Sequence, residues 1–149
     1  MKYIKLFESV QDERLAEETW GIDPYDLRDI VQACLMDCEM FSISFDIILG
    51  MNSIVKVKRH NGEYYDHEEF DPIFDILPER LFRREGIIKE GGTPCIDMYF
   101  SGLDEDDDEK AINLKDSIAE RLSDYGLSFD VIGPDFVQSD GACIVIKIK

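Results

Sequence analysis

Apolar residues recur at Leu27, Ile30, Val31, Cys34, Leu35 and Cys38, the i, i+3, i+4, i+7, i+8, i+11 spacing of one continuous helical stripe. The pattern predicts a helix from Asp23 to Cys38. Its start is equally legible: Asp23 is a capping residue, Pro24 suits a first helical position that needs no N–H, and Asp26 sits near the positive end of the dipole. Upstream, Asp12 to Thr19 predicts a weaker helical stretch ending near Gly21, and Lys2 to Phe7 reads as a strand.

From Phe41 the period changes. Phe41 to Ile47 and Ile54 to Lys58 alternate apolar and polar with β-branched residues enriched, separated by Gly50-Met51-Asn52-Ser53. That predicts a hairpin with one wet face. Asp71-Pro72 then resembles a second capped helix start, with Phe70, Ile73, Phe74, Leu77, Leu81 and Phe82 on one side, Pro78 dividing it and Gly86 ending it. After the turn residues Glu90 to Pro94, a strand is expected over Cys95 to Phe100. A helix carrying Leu114, Ile118, Leu122 and Tyr125, stopped at Gly126, follows, and then strands over Leu127 to Ile132 and Ala142 to Lys149.

The order β-α-β-β-α-β-α-β-β contains one unit twice. Leu27-Arg28-Asp29 answers Leu114-Lys115-Asp116, Ser44-Phe45-Asp46-Ile47 answers Ser128-Phe129-Asp130-Val131, and Ile54 to Lys58 answers Val145 to Lys149. These matches admit a tandem βαββ, ferredoxin-like duplication, and equally the coincidence expected of any amphipathic helix followed by a hairpin. The fold class is α+β: a mainly antiparallel sheet with helices on one face and Lys56, Lys58, Lys147 and Lys149 on the other or at its edges. A single domain over residues 1–149 is expected, its pseudo-repeats 1–60 and 93–149 joined by a helical connector, 61–92.

Charge changes the picture more than composition does. The 33 acidic and 16 basic side chains leave a net charge of −17, so phosphate and anionic lipid repel the chain, and neither direct nucleic-acid binding nor a membrane surface is expected. With 44% hydrophobic residues it has material for a real core. No apolar run approaches the roughly 20 residues of a spanning helix. Residues 61–110 hold 16 acids against 5 bases and supply most of the field. Their bland reading is solubility, and the functional one is attraction of a basic protein. The candidate partner-binding residues are Asp104, Glu105, Asp106, Asp107, Asp108 and Glu109, with Tyr64 and Tyr65 as aromatic anchors among acids.

Catalytic equipment is sparse. His60 and His67 are not placed together, and no nucleophile elbow, phosphate loop, metalloprotease or dinucleotide motif occurs. Cys34 and Cys38 share a helix face, and Cys95 and Cys143 could approach from strands, but the spacing lacks the tight turns of structural zinc sites. They read as core, and the four thiols, without a CxxC pair, suit a reducing cytosol. A calcium loop starting at Asp104 fails where Glu109 replaces glycine and Lys115 replaces glutamate, so the run reads as a solvated leader to the last helix. Asp108-Glu109-Lys110, with Asp97 upstream, matches a nuclease tail but lies in a hydrophilic run instead of a strand in a cleft. No catalytic residue, metal or cofactor is expected.

The opening Met1-Lys2-Tyr3-Ile4-Lys5-Leu6-Phe7-Glu8-Ser9 resembles the start of many short open-reading-frame products of tailed bacteriophages, as the helix-then-hairpin body Leu114 to Lys149 resembles those products in style. Leu6-Phe7-Glu8 is similar to the site cut by phage prohead proteases, which implies a packaged virion protein. The resemblance implies a phage origin and a place in the infected cell's cytoplasm or in the virion, and carries no activity with it. Together these observations lead to the expectation of a non-catalytic acidic protein that binds, and inhibits, a basic nucleic-acid-handling host or defence protein. The alternative is a structural or assembly subunit of a virion.

Overall fold

The computed structural model describes residues 2–84, 91–137 and 140–149, with side chains from residue 11 onward. The first helix, α1, runs Lys2–Trp20. The strand expected over Lys2 to Phe7 is therefore helical: nothing between Lys2 and Trp20 is glycine or proline, so the helix continues until Gly21, whose φ of 77° only glycine adopts freely. α2 spans Pro24–Asp37 and is built as its sequence reads. The Asp23 carboxylate accepts from the amides of Tyr25 (2.8 Å) and Asp26 (3.3 Å), and Leu27, Ile30, Val31, Cys34 and Leu35 are buried.

The next segment departs from expectation. Ser44–Lys58 is one continuous strand, β1, and Gly50 is not a turn but an extended residue at a bulge in its pairing with β2, Tyr64–Leu77. The true hairpin turn lies at Asn61-Gly62, where Gly62 takes a φ of 87° and Asn61 Oδ1 accepts from the Glu63 amide at 3.1 Å. Residues 71–82, expected as a helix, are the end of β2 and a short strand β3, Arg80–Arg83. The bulge explains the misreading: it buries the consecutive Ile73 and Phe74, then Ile76, so a period of two passes for 3.6. Connector 61–92 is thus not helical over its described part. Gly86 and Glu90 lie outside the described residues.

β4 spans Thr93–Ser101. A single 3-10 turn, Glu105–Asp107, leads into α3, Asp108–Asp124. β5 (Phe129–Val137) and β6 (Gly141–Ile148) complete the chain. Among the described residues the protein is an α+β fold with three α-helices and a six-stranded sheet of order β3-β2-β1-β4-β6-β5, every neighbouring pair antiparallel. One βαββ unit is present, β4-α3-β5-β6. The first half is α1-α2-β1-β2-β3 with no leading strand, and β1 is central where its counterpart β5 is an edge. The tandem arrangement is therefore not realised. None of the helices among the described residues is long and apolar enough to cross a membrane.

The core lies between the helices and one sheet face. Leu27, Val31, Leu114, Ile118 and Leu122 meet Ile47, Leu49, Phe74, Ile96, Met98, Phe100, Ile144 and Ile146, burial of the kind that stabilises by about 1.5–3 kcal/mol per large side chain. Trp20 closes one end, its ring edge-on to Phe74 at 5.9 Å. The Trp20 indole N–H donates to the backbone carbonyls of Cys95 (2.9 Å) and Gly50 (3.2 Å), holding the bulge from beneath.

Candidate binding cleft on the uncovered sheet face

Strand alternation puts Ile96, Met98 and Phe100 into the core and sends Cys95, Asp97 and Tyr99 to the opposite face. On that face they join Asn52 of β1, Glu68 and Phe70 of β2, Val145 and Lys147 of β6 and Ile132 of β5. Eight residues line one cavity of about 250 Å³: Asn52, Glu68, Phe70, Cys95, Asp97, Ile132, Val145 and Lys147. They come from five consecutive strands, β2-β1-β4-β6-β5. In a flat sheet the outer two would stand about 19 Å apart, so the sheet curls and this face is concave. The Lys147 ammonium confirms the curl, reaching over β4 and β1 to Glu68 Oε1 at 3.1 Å.

The walls are mostly apolar and tightly set. Cys95 is 1% exposed, its thiol donating to the Thr93 carbonyl at 3.4 Å. The Phe70 ring packs against Gly50 so closely that a β-carbon there would stand 2.4 Å from Phe70 Cζ. Gly141 serves the same purpose for Tyr99, whose hydroxyl would meet an added β-carbon at 2.2 Å. Both glycines let an aromatic ring approach backbone.

Asp97 is the electrostatic centre of the cleft. Its neighbours across the ladder are Ile48 and Val145, and its Oδ1 is buried with no hydrogen-bond partner among the described residues. Burial pushes its carboxyl above the usual carboxylate range. Glu68 goes the other way, lowered first by its hydrogen bond from Lys147 and then by that ammonium's charge. Burial also pushes the Cys95 and Cys143 thiols up, Lys147 opposing the shift at Cys95 and Asp97 and Asp135 adding to it at Cys143. Both thiols are therefore protonated at neutral pH and poor nucleophiles.

The sequence-derived candidates do not form one surface. Asp104 to Glu109 leads α3 as expected, Asp104 accepting from the Asp106 amide at 3.0 Å and Asp108 and Glu109 occupying the first helical turn. The run follows Ser101, which pairs with Ser44, whereas Tyr64 pairs with Lys58 at the far end of the same 15-residue strand. That places Tyr64 and Tyr65 on the order of 40 Å from the acidic run. As adjacent strand residues they also face opposite ways: Tyr64, 63% exposed, belongs to the row Asp66, Glu68, Phe70 that leads to the cleft, while Tyr65 stacks on Arg59 at 4.9 Å.

Two further groupings are pulled apart by the sheet. Cys34 lies on α2 and Cys38 caps its C-terminal end, while Cys95 and Cys143 face the other side of the sheet, so the four thiols do not converge. Asp97 is likewise separated from Asp108, Glu109 and Lys110, which are helical. Asn52, Phe70 and Lys147 escaped the sequence reading as site residues. Asp97 carried a usable signal, a lone carboxylate within the strand run from Cys95 to Phe100. Compared with known protein families, curated proteins and solved structures, the chain matches none.

Proposed function

We propose that this protein is a non-catalytic interaction protein that binds a basic protein through its concave sheet face. The observation that carries this reading is the unpartnered Asp97 in a built cleft on the face that no described helix covers. An ionised carboxylate held half out of water is costly to the free protein, and a cation from outside would relieve that cost. The net charge of −17 favours such a partner at long range. Charge complementarity suits a nucleic-acid-handling host or defence protein as that partner, which the acidic chain would inhibit by occupying its basic surface.

The test begins with tagged protein expressed in infected bacteria and identification of what co-purifies, followed by side-chain footprinting of the reconstituted complex. A basic partner should shield Phe70, Tyr64 and Tyr99 from labelling. Phe41 and Tyr125, exposed after α2 and α3, should stay reactive. Footprints on the helices instead, or recovery of capsid or neck proteins alone, would replace this reading with virion assembly.

A further inference from the structure

Resting on that reading, we infer that the cleft is a receptor for one arginine side chain of the partner, its guanidinium on Asp97 and its stem along Phe70, Ile132 and Val145. Size is the first argument. A cavity of about 250 Å³ falls below the roughly 300–1,000 Å³ of pockets that enclose drug-sized ligands, and suits a single long side chain. Charge is the second. Lys147 is already held by Glu68, which leaves Asp97 as the carboxylate in the cleft without a partner among the described residues. A neutral occupant would leave the Asp97 charge uncompensated, and an anion would be repelled by the whole molecule.

The choice between arginine and lysine follows from the walls. A guanidinium is weakly hydrated, planar and able to stack on an aromatic ring, whereas an ammonium is a strongly hydrated point charge. The cleft offers a fixed ring, Phe70 on Gly50, and apolar flanks at Cys95, Ile132 and Val145. It holds few polar atoms to replace an ammonium's water. Asn52, also lining the cavity, carries an amide oxygen able to accept a second guanidinium N–H.

The inference is tested by titrating isotope-labelled protein with N-acetyl-arginine amide and following backbone amide shifts. N-acetyl-lysine amide and N-acetyl-citrulline amide, the latter an uncharged isostere of the arginine probe, serve as comparisons. Arginine should move the Asn52, Cys95, Asp97 and Val145 signals saturably, with affinity at least tenfold above either comparison probe. Asp97→Asn should abolish those shifts, and Phe70→Leu should weaken binding severalfold while preserving the spectrum of the core. Equal response to citrulline or lysine, shifts confined to Asp104 to Glu109, or full binding by Asp97→Asn would overturn the arginine assignment. A protein partner that still shielded the sheet face would then leave the broader interaction reading standing.

Discussion

Asp97→Asn is expected to make the free protein more stable and its complex weaker. One oxygen of the native carboxyl is buried and unpartnered between Ile48 and Val145, and burial disfavours its charged form. Leaving a buried polar group unsatisfied costs about 1–3 kcal/mol; because Asp97 is only half-buried, solvent screening brings that to about 1 kcal/mol. Asparagine has the same shape without the charge. For a chain of this size the gain corresponds to a rise of about 2–4 °C in melting temperature.

The pH dependence gives the prediction its sign. Because burial raises the native carboxyl above its unfolded value, the folded state holds the proton more tightly than the unfolded one. The stabilisation this provides is complete below the unfolded pKa, about 3.9, and is lost as pH rises through the folded value. The advantage of Asp97→Asn should therefore be present at pH 7 and absent at pH 3. Glu68 has the opposite sign: its lowered pKa contributes stability above the unfolded carboxylate range that is lost on acidification. Comparing variant with wild type at each pH cancels that background. Thermal unfolding by calorimetry at both pH values reads the difference. A lower melting temperature for Asp97→Asn at pH 7, or an equal gain at pH 3, would refute the claim that a desolvated charge sits there.

Four further outcomes are expected. Ile30→Asp puts a charge into the stripe of α2 that packs on the sheet, and chemical denaturation should show a loss of about 3–5 kcal/mol; wild-type stability would mean the wrong face is buried. Trp20→Phe leaves the Gly50 and Cys95 carbonyls without their indole donor, a loss of about 1–2 kcal/mol by the same measurement. Gly50→Ala sets a β-carbon against Phe70 and the Asp71 carbonyl; it should destabilise by about 1–3 kcal/mol and remove the arginine-induced amide shifts. Joint substitution of Asp104, Asp106 and Asp108 by asparagine should slow association with a basic partner in a salt-dependent way, measured by stopped-flow, because exposed charges act over about 8 Å at physiological ionic strength. The melting temperature should hardly change, since asparagine also caps helices.

Elements with local punctuation were legible in the sequence, and elements defined by distant contacts were not. α2 announces itself through Asp23-Pro24 and an unbroken stripe, and α3 through its acidic leader and Gly126. The continuity of β1 was hidden because glycine in a strand signals a turn as readily as close approach of a ring. Only the position of Phe70, twenty residues away in sequence, decides between the two at Gly50. The strand character of residues 71–82 is masked by the bulge opposite that glycine, and Asn61-Gly62 is the local signal that marks the real turn. The cleft is further from reach. Its lining comes from five strands scattered between Asn52 and Lys147, and their meeting depends on the curl of the sheet.

That curl connects the core to the cleft. The Leu49/Gly50 irregularity increases local twist, as bulges do, and Trp20 fixes it from the helical side by donating to both Gly50 and Cys95. On the opposite side of the same two residues stand the Phe70 ring and the Cys95 thiol, which form the wall and floor beside Asp97. One hydrogen-bonded indole thus anchors, from the core side, the two strand positions that support the cleft on the other. A strand whose alternate positions are Cys95, Asp97 and Tyr99 could bury an aliphatic side chain between Ile48 and Val145 with a gain in stability. Asp97→Val should show that gain in the free protein and, like Asp97→Asn, forfeit the cation. If both gains are seen, the carboxylate weakens the isolated fold, and the proposed arginine is the group that would compensate it.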